Sequence, residues 1–107
     1  MLFDLDEDLL AARQIRSLAE QGNIDAQFAL GCRYDRGMGV LQDFVRAHMW
    51  LSVSAAAESG RNKESSRKKR ITLKYLDGLA LQMTAAQIEK AQEMARRCQD
   101  TKFKECD

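Results

Sequence analysis

His48 is the only histidine in the sequence, and so the only side chain whose ordinary pKa suits proton transfer near neutrality. A hydrolytic site built on it would need a serine or cysteine within hydrogen-bond reach. No such residue stands beside it in a nucleophile-and-base pattern, so His48 is expected on a helix surface or half-buried. Paired carboxylates for glycoside chemistry, a glycine-rich phosphate loop and a His/Cys set at metal spacing are not identifiable either. The three cysteines, Cys32, Cys98 and Cys106, form no CxxC pair. An odd number of them predicts reduced thiols rather than a disulfide framework. The residue types therefore predict no catalytic group, no cofactor and no metal ligand: a protein that binds rather than an enzyme.

The charges carry a different chemistry. Between Arg61 and Lys74 stand seven basic residues against a single Glu64. Lys63, Arg67, Arg70 and Lys74 recur at three- and four-residue spacing, which places all four on one side of a helix, with Lys68 and Lys69 alongside. Such a stripe could hold phosphates or an acidic partner. No aromatic residue interleaves to stack on bases, and the net charge is only +1, so an acidic protein surface fits better than nucleic acid. Asp4, Asp6, Glu7 and Asp8, in this chain or a second copy, offer one counterpart.

Helices must position these groups. Proline is absent, and good helix formers dominate a chain that is 45% hydrophobic and 31% charged, which predicts an all-α class and one domain. Gly22, Gly37 and Gly60 read as helix stops. The first helix is expected over 6–21, with Ala11, Ile15, Leu18 and Ala19 as its buried stripe. The second is expected over 24–36 and the third from an Asp43 cap to near Gly60. A fourth, over 62–82, carries Thr72, Leu76 and Leu79 inward, with a weak point at Gly78. Thr84 and Gln87 fit a capping box and open the fifth, whose buried stripe is Ile88, Ala91, Ala95 and Cys98. Residues 101–107 are expected to fray.

No segment approaches the length and apolarity of a membrane span, and the amino terminus is acidic where a secretory leader would be basic. The expectation is a cytoplasmic protein with no membrane insertion.

Ala19-Glu20-Gln21-Gly22 recurs as Ala57-Glu58-Ser59-Gly60, an offset of 38 residues that falls among the periods of helical-hairpin repeats. The stretch from Ala26 through Leu30-Gly31, Tyr34 and Gly37-Met38-Gly39-Val40, followed by Asp43, Ala47 and Trp50, resembles the Sel-one-like repeat, a relative of the tetratricopeptide repeat. The resemblance covers about one full repeat, 23–60, flanked by a helix over 6–21 and by terminal capping helices over 62–99. It implies a short α/α solenoid of about five helices, and an adaptor that binds a partner protein or peptide on its concave surface. So short an array also suggests self-association. By analogy with that family, Asp25, Gln27, Arg33 and Arg36 on the second helix are the candidate contacts. The basic helix 61–74 is the alternative, as a site for nucleic acid or an acidic partner, and an enzyme of unidentified type ranks behind both. Cys98 and Cys106 stand at a spacing seen in the disulfide-linked, secreted branch of the same family, some members of which bind or hydrolyse β-lactams. The unmatched Cys32, the absence of a leader and the unlike segment Thr101 to Lys104 argue against that pairing here.

Overall fold

Short polar side chains start four of the five helices. Asn23, Asp43, Asn62 and Thr84 each accept a hydrogen bond from the backbone N–H three residues on, at 2.8–3.1 Å, satisfying donors that a helix start leaves without partners. Gln87 returns the favour by accepting from the Thr84 N–H at 2.9 Å, which completes the expected capping box. The computed structural model describes residues 2–107, and the side chains of residues 7–107. The helices are α1 (Leu2–Glu20), α2 (Ile24–Arg36), α3 (Phe44–Ala57), α4 (Lys63–Ala80) and α5 (Ala85–Asp100). No strand occurs among the described residues, so the chain is all-α.

Two boundaries differ from the sequence reading. α1 begins at Leu2 rather than near Asp6. Carboxylates in the first turns of a helix oppose its positive end, so the acidic run favours helix there. α4 runs through Gly78 without a break. Gly78 is exposed, with nothing within 4 Å of where a Cβ would sit, so the glycine weakens the helix but no neighbour forces a kink.

α3 is the centre of the molecule. Ala47, His48, Met49, Trp50, Leu51, Val53, Ser54 and Ala55 are all buried, a run interrupted only by half-buried Ser52. A helix apolar on most sides must be surrounded, and α3 packs against α2, α4 and α5, while α1 packs against α2. Close approach of α2 and α3 depends on Gly31, where a Cβ would stand 2.7 Å from Leu51 Cγ and 3.2 Å from the Ala47 carbonyl. Gly39, at φ +77°, turns the α2–α3 loop directly over the backbone of Asp8 in α1, leaving no room for a side chain. Ser54 Oγ adds a hydrogen bond to the Ile24 carbonyl at 3.2 Å.

The stripe assigned to α1 is only partly right. Ala19 is buried and Ile15 packs on the core, but Leu18 is 45% exposed. Leu9 and Leu10 are exposed as well.

The tail does not fray. After α5 the chain turns back through Lys102 and Phe103, both with left-handed φ (54° and 68°). Phe103 packs on the core, beside Gly22. The reversal brings the Cα of Cys106 to 4.2 Å from that of Cys98, and the two form a disulfide, contrary to the reduced thiols expected. Counting cysteines and weighing compartment could not reveal that the chain doubles back within eight residues. Cys32 remains free and half-buried.

His48 is also more enclosed than expected, at 7% exposure. Its Nδ1 lies 3.3 Å from Ser52 Oγ, one turn on along α3. Burial penalises the imidazolium and lowers the His48 pKa from its ordinary 6.5. Because the folded pKa lies below the unfolded one, the unfolded chain binds the proton more readily. The neutral ring's contribution is therefore present above about pH 6.5 and lost as pH falls through that value. Melting temperatures measured at about pH 7.5 and about pH 5.5 should fall further for the wild type than for His48→Gln. Equal falls would mean that His48 stays uncoupled from folding.

Candidate interaction site

Three helices leave a cleft of about 230 Å³ on one side of the molecule, lined by Ile24, Asp25 and Phe28 of α2, Ser54 of α3, Glu58, and Lys68, Ile71 and Thr72 of α4. The apolar lining is Ile24, Phe28 and Ile71. These are half-buried or exposed, since α2 and α4 meet through a few specific contacts rather than along their length. Phe28 and Tyr75 make an edge-to-face pair with ring centroids 6.1 Å apart. Tyr75 donates its hydroxyl to Asp35 Oδ2 at 2.6 Å. Burial, followed by that hydrogen bond, raises the Tyr75 pKa, so it remains a neutral donor. At the cleft rim Lys68 Nζ lies 3.3 Å from Asp25 Oδ1 and 3.5 Å from Glu64. Ile71 is 50% exposed, an apolar side chain that no described contact covers. The arrangement can hold an apolar side chain between charges of both signs, with Ser54 and Thr72 within the lining.

The four candidates on α2 do not share one surface. Asp25 lies at the cleft rim, as an exposed group paired with Lys68. Gln27 is buried at 0% exposure, which corrects its assignment as a surface contact. Its Nε2 donates to the Ala19 carbonyl of α1 at 3.1 Å, so it ties two helices together from within. Arg33 is half-buried and turned the other way, with Nη1 3.5 Å from Asp8 and donating to the Met38 carbonyl at 3.3 Å. Arg36 is exposed, in the last turn of α2.

The basic stripe is present as expected. Lys63, Arg67, Arg70 and Lys74 are all exposed on α4, and none is in an ion pair among the described residues. Lys68 and Lys69 are engaged, Lys69 donating to the Glu58 carbonyl at 3.2 Å. The acidic counterpart proposed for the stripe lies partly outside the described residues, since the side chains of Asp4 and Asp6 belong there. Asp8 pairs with Arg33 instead.

A second polar constellation was absent from the sequence reading. Asp107 accepts from Arg16 Nη1 at 2.5 Å and from the Tyr34 hydroxyl at 3.2 Å, and stands 3.9 Å from Arg46 Nε. Arg16 also donates to Tyr34 Oη and lies over the Tyr34 ring, 5.7 Å from its centroid. Burial acts to lower the Arg16 pKa, but the hydrogen bond and charge of Asp107 outweigh it and the net shift is upward. Tyr34 is raised by burial and then by the Asp107 charge. Tyr34 is thus core by its ring, as expected, and polar at its tip.

Of the residues lining the cleft only Asp25 was expected as a contact; Ile24, Phe28, Ser54, Glu58, Lys68, Ile71 and Thr72 were not. One signal was available: Ile71 interrupts the basic run on the polar half of α4. Ser52 lines a separate depression of about 280 Å³, whose wall does not include His48. The depression beside Ser52 is formed by Ala55, Ala56, Lys69, Leu73 and Leu76. Among the described residues no cluster of His, Cys, Asp or Glu is placed to hold a metal ion, and no helix is long and apolar enough to cross a membrane. No family model, curated protein or solved structure matches the chain.

Proposed function

We propose that this chain is a helical-repeat interaction module of the Sel-one-like kind, binding a partner protein or peptide in the cleft between α2, α3 and α4. The observation that carries the reading is the cleft itself: an apolar lining of Ile24, Phe28 and Ile71 rimmed by Asp25, Glu58 and Lys68. A peptide side chain buried there would remove Ile71 from water, and the rim charges would select its flanks. The repeat assignment draws further support from the two glycine-ended turns. Gly22 and Gly60 both adopt positive φ (94° and 71°) at the ends of links out of α1 and α3, each followed closely by an asparagine cap. The Cys98–Cys106 disulfide supports, within the same reading, a working environment where thiols are oxidised, in place of the cytoplasm expected from the sequence.

The test is selection of a random-peptide display library on the disulfide-bonded protein. Enriched peptides should lose about thirtyfold in affinity for Ile71→Glu, the roughly 2 kcal/mol carried by a buried anchor. They should keep their affinity for Arg67→Glu combined with Arg70→Glu. Enriched peptides indifferent to Ile71→Glu would refute the cleft. Tight binding of random oligonucleotides in moderate salt, abolished by the Arg67 and Arg70 reversals, would favour the basic helix as a nucleic-acid site instead.

A further inference from the structure

Side chains from three helices converge on one carboxylate, and that carboxylate belongs to the chain's own tail. Arg16 comes from α1, Tyr34 from α2 and Arg46 from α3, and all three address Asp107. We propose that Arg16, Tyr34 and Arg46 form a receptor for a carboxylate side chain of an acidic peptide, which Asp107 occupies as an internal ligand. This rests on different residues from the cleft reading and stands without it.

The donor set is complete for the purpose. The Arg16 guanidinium and the Tyr34 phenol donate charge-assisted hydrogen bonds to one carboxylate, and the Arg46 guanidinium, hydrogen-bonded to Asp43, adds its charge at 3.9 Å. The side chains remain reachable, Arg16 at 32% and Arg46 at 40% exposure. Two clefts, of about 360 and about 510 Å³, open beside the receptor and share Asp43, Arg46 and Asp107 in their walls. A chain carrying the carboxylate could therefore enter and leave on either side. Lys90 and Arg97 line the first cleft, where Asp43 and Glu93 are the other carboxylates. Asp43 already engages Arg46 Nη1 at 2.7 Å, and Glu20 stands 3.9 Å from Arg16. When Asp107 leaves, cations outnumber carboxylates around that cleft.

Asp107 directly follows Cys106 of the disulfide, so what an incoming carboxylate displaces is the Asp107 side chain, not the loop behind it. That loop is closed at both ends by the Cys98–Cys106 disulfide and passes through two consecutive left-handed, non-glycine residues, Lys102 and Phe103. Such backbone persists only while its contacts hold it. An acidic segment that competes for Arg16 and Arg46 need only turn the Asp107 side chain aside, with the disulfide-closed loop left in place.

The test measures anisotropy of a fluorescein-labelled hexaglutamate peptide, with helix content followed by circular dichroism. Asp107→Asn should bind the peptide about tenfold more tightly than the wild type, because an intramolecular competitor has gone. Asp107→Glu, which restores the charge, should bind like the wild type. Adding Arg16→Gln to Asp107→Asn should abolish the gain. An Asp107→Asn protein that binds no more tightly, or a gain that survives Arg16→Gln, overturns the proposal. Displacement of the peptide by an equal concentration of inorganic phosphate would overturn the choice of a carboxylate ligand. A second measurement needs no variant: peptide at about millimolar concentration should shift the Nε–Hε resonances of Arg16 and Arg46 in the wild type, and unchanged resonances would refute the site.

Discussion

Trp50→Ala should cost about 3–5 kcal/mol of stability, a large share of the roughly 5–15 kcal/mol that holds a domain of this kind folded. Trp50 is fully buried in α3, the one helix with neighbours on three sides, next to Met49 and Leu51, which are also at 0% exposure. Removing the indole takes away its own transfer free energy and leaves a void that α2, α4 and α5 cannot all close at once. They are held apart by contacts elsewhere: α2 by Leu51 beneath Gly31, α4 by Glu58 with Ser65, and α5 through the segment after it, whose Asp107 binds Arg16 of α1. Urea unfolding followed by far-UV circular dichroism should show a lower midpoint with little change in slope. An unchanged midpoint would mean that α3 is not the centre of the core.

The second large effect concerns the tail. Changing Cys98 and Cys106 together to serine should lower stability by about 2–3 kcal/mol, the chain-entropy value for so short a closed loop. Release of the loop has a further consequence, because the left-handed residues Lys102 and Phe103 cost about 1–3 kcal/mol each in backbone strain. Without the covalent tie that strain opposes the loop, so Phe103 should leave the core and Asp107 should leave Arg16. Hydrogen exchange should then lose protection over residues 101–107 and keep it in α2 and α3. A double serine variant with full protection in the tail would show that noncovalent contacts alone hold it.

Local signals in the sequence located the helices well. Asp43, Thr84 with Gln87, and glycines 22, 37 and 60 each act through bonds or backbone angles within a few residues, so their effects can be read without knowing the fold. Contacts between helices are a different matter. Gln27 stands three, four and seven residues before Leu30, Gly31 and Tyr34, the spacing of the buried stripe itself. Its amide invited a surface assignment that the geometry overrules, because the Ala19 carbonyl of α1 was waiting as a partner. Leu18 errs the other way, since a stripe at helical spacing does not say how wide the partner helix is. The Arg16–Asp107 contact spans 91 residues and depends on a chain reversal at two non-glycine positions. No pattern of residue types announces that reversal. The cysteine spacing did carry a hint of the disulfide, through the repeat resemblance, and compartment arguments outweighed it.

The cleft between α2, α3 and α4 is tested most directly by mapping a display-selected peptide onto backbone amide resonances. Binding there should perturb Ile24, Phe28, Ser54, Ile71 and Thr72 together, and leave Lys63 and Lys74 on the outer side of α4 unchanged. Perturbations confined to the outer stripe of α4, with Ile24 and Phe28 silent, would contradict the account.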